Sequence, residues 1–557
     1  MSEPDSKRRR VRFRPKGHQA SSHSLQAVEA LIGPPPYQRD LLIEYLHRLQ
    51  DHFHYLGNSH LVALAELLRL APVEVFEVAS FYHHFDLAAQ GDPPSSGITV
   101  RVCESISCEL AGARELMVAL RSVLGESVRI QPVPCVGQCD GAPVAVVGTN
   151  PVRRADALRV RMAITEGRLQ APVPAARELS RYHCNCGYKT LHAVNERWTM
   201  EDIICTIENA GLRGLGGAGF PAGRKWRSVR DREGPRYLVV NVDEGEPGTF
   251  KDRHYLENDP HACLEGILIA AKVIEAEAIY IYLRDEYAAC RTILEEELPA
   301  LQANPPCPIP PIHLRRGAGA YICGEESALI ESIEGKRGMP RLRPPFVAER
   351  GLFGRPTLEH NLETLYWVPE ILRSGAQWYQ AQGRHGRKGL RTFSVSGRVN
   401  KPGVHLAPAG ITARELIDEY CGGMLAGHEL KAYFPGGASG GILPAKLADI
   451  PLDFDTLSEY GCFIGSAAII VLSAQDNVAL AALNAMCFFA HESCGQCTPC
   501  RVGTVRAADL MSQARWNATL LEDLAAVMQD ASICGLGQAA PNVLRCALRW
   551  FPEDCGL

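Results

Sequence analysis

Cysteine spacing is the most informative chemical feature of this chain. Cys103 and Cys108 have four residues between them, Cys135 and Cys139 have three, and each pair follows a predicted strand. Both loops can therefore lie at one end of a sheet. Four thiolates suit an iron-sulfur cluster, read here as 2Fe-2S, or zinc, which also pairs cysteines at about two to four residues' spacing. Cys494, Cys497 and Cys500 follow one another with two residues between, and Cys534 comes 34 residues after Cys500. A tight run of three plus a distant fourth is a 4Fe-4S pattern, whereas structural zinc favours two separated pairs. Cys184 and Cys186, beside His183, stand too close together to chelate one metal well and are read as incidental. Cys323 is read as buried and inert, and Cys546 and Cys555 have no partner in the sequence. His83 and His84 are adjacent, on different faces of a predicted helix, and are read as core or surface residues.

A second kind of chemistry is written between residues 211 and 248, as GLRGLGGAGFPAGRKW, then YLVVNV, then DEGEPG. Phosphates need backbone N–H groups brought close, which glycines such as Gly214 and Gly217 permit, plus a point charge, here Lys225. The strand-like YLVVNV carries Asn241 and leads into Asp243, Glu244 and Glu246. GLGGAG at 214–219 matches the dinucleotide fingerprint G-x-G-x-x-G, but that fingerprint must follow a strand and open a helix. Here Met200, Ile203, Ile204 and Ile207 precede it at helical spacing, and Phe220-Pro221 stands where the new helix should begin. The pocket is thus expected to hold a phosphate-bearing cofactor on a different scaffold. RRGAGAYICGEESALIES adds Gly317, Gly319, Gly324, Tyr321, Glu325 and Glu326. A rigid basic loop ends in Phe346, and His360-Asn361 ends another loop.

The elements that must position these groups form several units. At 557 residues the chain exceeds one core, and its net charge of −5 calls for neither nucleic acid nor a membrane surface. The longest apolar run, 462–474, is shorter than the ~18 residues of a spanning helix. No apolar signal region opens the sequence, so a cytoplasmic location is expected, and most of the 20 cysteines are not expected in disulfides. The fold class read from periodicity is multidomain α/β and α+β. A basic arm occupies 1–25, a solvated tail or a docking arm for an acidic partner. A helical bundle follows over 26–97 and a thioredoxin-like 2Fe-2S domain over 98–167, with strands at 98–102, 128–132 and 144–147 and helices at 109–124 and 155–166. A polar linker spans 168–197 and an α/β cofactor domain 198–389. A β-grasp-like module covers 390–475, with a helix at 413–420, and a helical 4Fe-4S bundle covers 476–557.

Iron-sulfur clusters pass single electrons, whereas nicotinamide exchanges a hydride, so the two need a flavin between them. That argument selects FMN for the glycine pocket and NAD as a second ligand. GLRGLGGAGFPAGRKW, NVDEGEPGTFKDR, GAGAYICGEESALIESIEGKRGMPR and ESCGQCTPCR resemble the NADH-binding flavoprotein subunit of respiratory complex I. Residues 37–165 resemble the separate thioredoxin-like 2Fe-2S subunit of that enzyme. Such a fusion occurs in diaphorase units, and SCGQCTPCR, GGASGGILPA and CGLGQAAP make the chain similar to the β subunit of cytoplasmic NAD-dependent formate dehydrogenase. The diaphorase subunit of NAD-reducing hydrogenase is the alternative, and a free-standing NADH diaphorase a third. In a further reading the thioredoxin-like part is solely an interaction module.

The resemblance implies FMN held by Arg213, Gly214, Gly217, Lys225, Asn241, Asp243, Glu244, Tyr321, Gly324, Glu325, Glu326 and Asn361. NAD is implied over the flavin against Phe220, Glu246 and Phe346, with Lys225 near its phosphates. His360 and Arg343 depart from the family, which commonly has Asn and often Lys there. No residue is implied as a catalytic acid or base. A large partner chain with a molybdenum or tungsten pterin is implied to oxidise formate, sending electrons through 4Fe-4S and FMN to NAD+, reversibly.

Overall fold

The structure is a computed structural model and describes residues 19–88, 97–125, 128–184 and 187–557. The basic KRRRVRFRPK stretch and Cys186 lie outside them. The chain divides into two compact units, Met1–Ser96 and Gly97–Leu557.

Among its described residues the first unit holds four α-helices, Ser22–Ile32, Leu42–Phe53, Asn58–Leu68 and Pro72–Phe81. Leu42, Leu46, Leu49, Leu64 and Val75 close its core, as their helical spacing predicts. The first helix overlaps the end of the expected arm. Ser21 caps it by accepting from Ser24 N at 3.0 Å. His83 and His84 stand in the turn after the last helix, not on it.

The second unit carries three sheets. β1 (Thr99–Cys103), β2 (Arg129–Val133), β3 (Val144–Val147) and β4 (Asn150–Arg153) form the thioredoxin-like sheet in the order β2-β1-β3-β4. β1 and β2 run parallel, which puts the segments after Cys103 and Val133 at the same end. The single helix expected over 109–124 is two, Ile106–Leu110 and Ala113–Leu124, broken at Gly112 with φ +92°. Two short helices, Leu179–Cys184 and Lys189–Arg197, replace the expected plain linker. Buried Glu265 anchors them by accepting from Tyr182 OH at 2.6 Å and Leu191 N at 3.0 Å.

β5 (Arg236–Val242), β6 (Ala276–Leu283), β7 (Ile312–Arg316) and β8 (Thr357–Asn361) form an all-parallel sheet in the order β7-β6-β5-β8. Leu238, Val239, Val240 and Val242 are fully buried, as expected of a strand covered on both faces. β9 (Leu390–Gly397), β10 (Gly403–Pro408), β11 (Leu430–Phe434), β12 (Leu443–Pro444) and β13 (Ala468–Ser473) form the mixed sheet β10-β9-β13-β11-β12. β9 pairs parallel with β13 and its helical crossover runs over 413–420, the β-grasp arrangement. Helices Val478–His491, Thr498–Met511, Ala518–Ala531, Gly535–Ala539 and Pro541–Trp550 complete the unit. Among the described residues no helix is long and apolar enough to cross a membrane.

One close crossing governs the cofactor domain. Helix Pro260–Val273 packs against helix Leu362–Ser374 at Gly266, where a Cβ would collide with the carbonyl of Leu365. Asn361 caps the second helix, so the crossing sets where Asn361 stands. Gly266→Ala should cost roughly 1–3 kcal/mol by overpacking a backbone that has no soft neighbour. Thermal unfolding and retained flavin check this, and an unchanged melting temperature would refute the tight crossing.

Candidate functional site

The glycine loop is held by its own backbone. Helix Met200–Ala210 ends at Gly211, left-handed with φ +72°, and Gly214 N then donates to Phe220 O at 2.8 Å while Ala222 N donates to Leu212 O at 2.9 Å. Helix Ala222–Arg230 starts directly after Pro221. The expectation that proline blocks a helix there is corrected, because its missing N–H is not needed at a helix start. The loop still follows a helix and not a strand, so the dinucleotide fingerprint stays excluded. A Cβ on Gly216 would lie 2.9 Å from Asn361, and one on Gly219 2.5 Å from Phe454. At Gly217, φ +140°, the nearest such neighbour is the backbone of Gly465 at 3.9 Å, an ordinary contact distance, so this part of the loop is not crowded. Arg213 braces the loop through Asp455 at 2.8 Å and stacks on Phe454 at 4.3 Å.

The loop sits beside the point where the parallel sheet changes direction. From β5 the chain adds β6 and β7 on one side and returns to add β8 on the other, and such sheets bind ligands in the crevice at that switch. Asn361, the last residue of β8, pairs in register with Asn241, next to last in β5. Asn241 Nδ2 donates to Gly324 O and Glu359 Oε1, both at 2.9 Å. Lys225 Nζ lies 2.9 Å from Glu359 and 3.2 Å from Glu326. Burial alone would lower this ammonium's pKa, but the two carboxylates override it and hold it above the ordinary value. Lys251, fully buried, pairs with Asp252 at 2.9 Å and Glu363 at 3.1 Å, and donates to Asn361 Oδ1 at 3.2 Å.

Glu359 and Lys251 are absent from the residues expected from sequence. The alternation in TLEHN carries the signal for Glu359, since β8 is a strand and its residues Glu359 and Asn361 share a face. His360 takes the other face, where Nε2 accepts from Trp226 Nε1 at 2.8 Å. Burial, then the nearby Lys225 charge, pushes His360 well below its usual value. Arg343 reaches Glu326 at 2.9 Å and also meets Glu325.

The acids differ in availability. Asp243 Oδ2 is buried without a hydrogen-bond partner, and burial pushes this carboxyl well up against the opposing pull of Arg284. Glu244, expected to bond the flavin, is instead committed to protein groups. It accepts from Asp252 N at 2.9 Å, Arg253 N at 3.2 Å and Tyr287 OH at 2.7 Å. It thereby caps helix Lys251–Asn258, and burial with neighbouring Asp252 pushes it up to about 7. Glu246 accepts from Ser439 N at 2.7 Å and Ser439 Oγ at 2.9 Å, and from Tyr321 OH. Ser439 belongs to the β-grasp-like module, in which sequence reasoning found no site residue. Glu325 caps helix Glu326–Ile333 through Ser327 N and Ala328 N, each at 3.0 Å. Phe220 and Phe346 expose half their surface, with the Arg224 guanidinium 5.8 Å over the Phe220 ring.

The cysteines of the thioredoxin-like segment stand together in the fold. Cys103, Cys108, Cys135 and Cys139 are all buried, with the sulfurs of Cys135 and Cys139 3.2 Å apart and Cys103 in contact with Cys108 and Cys135. Cys108 stands in helix Ile106–Leu110 and not in a loop. Gly137, φ +69°, packs under Tyr287, and Arg284 Nη2 donates to Cys135 O at 2.7 Å. In the bundle, Cys497 and Cys534 occupy the caps of helices Thr498–Met511 and Gly535–Ala539, and Cys500 stands in the first turn of the former. Burial raises the thiols of Cys494, Cys500 (to about 11) and Cys534 (to about 12), with neighbouring Cys494 and Cys497 adding. Cys184 is exposed and Cys323 buried.

These groups suit the cofactors expected of them. Asp243 Oδ2 is an orphaned buried acceptor, a Cβ on Gly324 would lie 4.0 Å from it, and each cysteine set offers four thiols of the kind that ligate iron-sulfur clusters. Residues 207–370 match the family described as Nuo51 FMN-binding domain, 28–168 the thioredoxin-like [2Fe-2S] ferredoxin family, and 480–556 the NADH-ubiquinone oxidoreductase-F iron-sulfur binding region. The mitochondrial NADH-ubiquinone oxidoreductase 51 kDa subunit of Neurospora crassa is 39% identical over 429 residues, covering 73% of this chain and 86% of that one. An NADH-quinone oxidoreductase subunit of Rhizobium meliloti (strain 1021) is 40% identical over 397 residues, covering 69% and 94%. A crystal structure of NAD+-reducing [NiFe]-hydrogenase in the H2-reduced state superposes with TM-score 0.82 at 31% identity, covering 93% of each chain. The cofactor set is FMN, NAD, one 2Fe-2S and one 4Fe-4S cluster.

His360 supplies a pH test. Its folded pKa is depressed, so the unfolded chain binds the extra proton as pH falls through the usual value near 6.5. Stability contributed by neutral His360 is complete above that value and is lost progressively below it, at up to about 1.4 kcal/mol per pH unit. His360→Gln keeps an acceptor for Trp226 and should flatten this part of the pH–stability curve. Parallel curves for both proteins between pH 5 and 7 would remove His360 as the cause.

Proposed function

We propose that this chain, which belongs to the family of the NADH-ubiquinone oxidoreductase 51 kDa subunit, is the electron-transfer (diaphorase) subunit of an NAD-dependent formate dehydrogenase. The observation that carries the diaphorase reading is the closeness of the three sites within one unit. Tyr321 and Glu325, at the glycine pocket, interact electrostatically with Cys534, and Glu325 also with Cys494. Arg284 joins the other side of the pocket, at Glu244 O, to the Cys135 loop. FMN, when bound, exchanges single electrons with iron-sulfur clusters and a hydride with NAD(H).

In this reading Gly217 would bring its backbone N–H to the FMN phosphate, while Gly214, whose own N–H bonds Phe220 O, permits the tight turn of the loop that Arg213 braces. Asn241, Asp243, Gly324 and Asn361 surround the rest of the group. Lys225, Glu325, Glu326 and Arg343 form a charged wall, and Glu359 and Lys251 join the residues named from sequence by fixing Asn241 and Asn361. Glu244 supports from behind. Glu246, fixed by Ser439 and Tyr321, orients the nicotinamide side, with Phe220 and Phe346 as stacking faces. Hydride transfer needs no acid or base from the protein.

Cys103, Cys108, Cys135 and Cys139 hold 2Fe-2S, and Cys494, Cys497, Cys500 and Cys534 hold 4Fe-4S. The partner is a large molybdenum- or tungsten-pterin chain in the cytoplasm, supported by the motifs SCGQCTPCR, GGASGGILPA and CGLGQAAP. A second reading, the diaphorase of an NAD-reducing hydrogenase, is favoured by the full-length likeness to that enzyme's crystal structure.

Purification of the native complex tests the reading. Molybdenum or tungsten in a co-purifying chain, with formate-driven NAD+ reduction, is the expected outcome. Nickel with hydrogen-driven reduction selects the second reading, and a partnerless active chain overturns both. Cys494→Ser should abolish partner-linked NAD+ reduction while sparing part of the NADH oxidation by an artificial acceptor. Equal loss of both with flavin retained would contradict the order of sites. Lys225→Ala should weaken FMN or NAD binding, and unchanged flavin content with an unchanged KM for NADH would take Lys225 out of the pocket.

A further inference from the structure

One cysteine pair belongs to neither cluster. Cys462, just ahead of β13, and Cys546, on helix Pro541–Trp550, are buried with their sulfurs 3.5 Å apart. This corrects the expectation that Cys546 has no partner. Gly441, φ +84°, packs over both, since a Cβ there would lie 2.6 Å from Cys462 Sγ and 3.0 Å from Cys546 Sγ. A cavity of about 440 Å³ opens against Cys546 and is lined also by Gly461, Glu522, Asn542, Arg545 and Arg549. Two arginines against one glutamate give these walls a net positive charge. The volume lies within the range of small-molecule sites, roughly 300–1,000 Å³.

We propose that Cys462 and Cys546 form a reversible dithiol–disulfide site whose oxidant, a low-molecular-weight anionic disulfide, enters through this cavity. Cys546 faces the cavity and attacks first. Its thiolate bonds to one sulfur of the small disulfide, whose S–S bond breaks, and the first thiolate leaves with the proton Cys546 gave up. Cys462 then attacks the Cys546 sulfur, breaking the mixed disulfide, and the second small thiolate leaves with the Cys462 proton. Two protein thiols are oxidised by two electrons and one small disulfide is reduced to two thiols. The sulfurs need to approach by about 1.5 Å to reach bonding distance. The contact between the two sulfurs lowers the Cys546 thiol, with Arg549 adding to this, and together with burial raises Cys462. Cys546 is the one of the two that lines the cavity, which places it to react first.

The pair is placed to report on the cofactor pocket. Gly441 lies two residues from Ser439, which holds Glu246, and Asn542, one turn before Cys546, donates to Ser439 O at 3.0 Å. Closing the disulfide moves both supports of Ser439. This consequence, unlike the dithiol site itself, rests on the reading of Glu246 as a nicotinamide contact. On that reading oxidation raises the KM for NADH at least two-fold.

The test exposes the full-length holoenzyme to oxidised glutathione, blocks free thiols and maps peptides by mass spectrometry. A Cys462–Cys546 cross-link is expected in the natural protein, with iron content retained. Cys462→Ser should stop at a glutathione adduct on Cys546, and Cys546→Ser should leave Cys462 unmodified. Cystamine, a cationic disulfide, should react more slowly. Absence of the cross-link, or first modification at Cys462, overturns the site, and equal or faster reaction with cystamine overturns the anionic oxidant. A cross-link with unchanged KM overturns the coupling to Glu246 and leaves the dithiol site standing.

Discussion

The cofactor domain depends on a set of ammonium–carboxylate contacts buried at the β5/β8 switch. Lys251 is 1% exposed and pairs with Asp252 and Glu363, while Lys225 pairs with Glu359 and Glu326. Taking such charges from water costs several kcal/mol each unless partners are close and oriented, and removing one partner leaves the other uncompensated. The contacts are therefore better explained by the geometry they impose than by net stability. Through them the ends of two strands, the start of helix Leu362–Ser374 and the helix after the glycine loop are held in one arrangement.

The same economy of position governs the contact between modules. Glu246 follows a strand of the parallel sheet, yet its carboxylate is held by a serine of the β-grasp-like module and a tyrosine beside the bundle's cysteines. Glycine makes this approach feasible. A Cβ on Gly437 would stand 2.6 Å from Glu246 Cγ, so a glycine there lets the module's backbone lie against the acid. The module thus closes on Glu246, an approach that its glycine-rich GGASGG permits.

How far the sequence discloses this depends on whether a feature is local. Cysteine spacing within each short run is local, and two such runs, Cys103 with Cys108 and Cys135 with Cys139, stand together in the fold. Strand β3 and the apolar core of β5 follow from runs of Val, Leu and Ile within a few residues. Glu244 shows the limit. DEGEPG announces several acids, but which one turns back to cap helix Lys251–Asn258 is decided by the entry angle of that helix and by Tyr287, some forty residues on. Glu359 and Lys251 are hidden for the same reason, since their partners come from four separate segments. Cys462 and Cys546 are 84 residues apart and meet only because the bundle packs on the β-grasp-like sheet.

The thioredoxin-like segment adds a constraint on the pocket that its own fold does not need. Arg253 Nε donates to Gly137 O at 3.0 Å, Arg284 to Cys135 O, and Tyr287 lies against Gly137 while donating to Glu244. Arg284 also pairs with Glu286 at 2.7 Å, and its other donors are fixed on the two backbone carbonyls. A cation fixed between a thiolate site and a carboxylate loop favours negative charge on both sides. The loop that carries Cys135 and Cys139 and the turn that carries Glu244 and Glu246 are consequently one electrostatic unit. A shift of charge at either is felt by the other through Arg284, a coupling that separate chains would have to recreate across an interface and that a single chain builds into its fold.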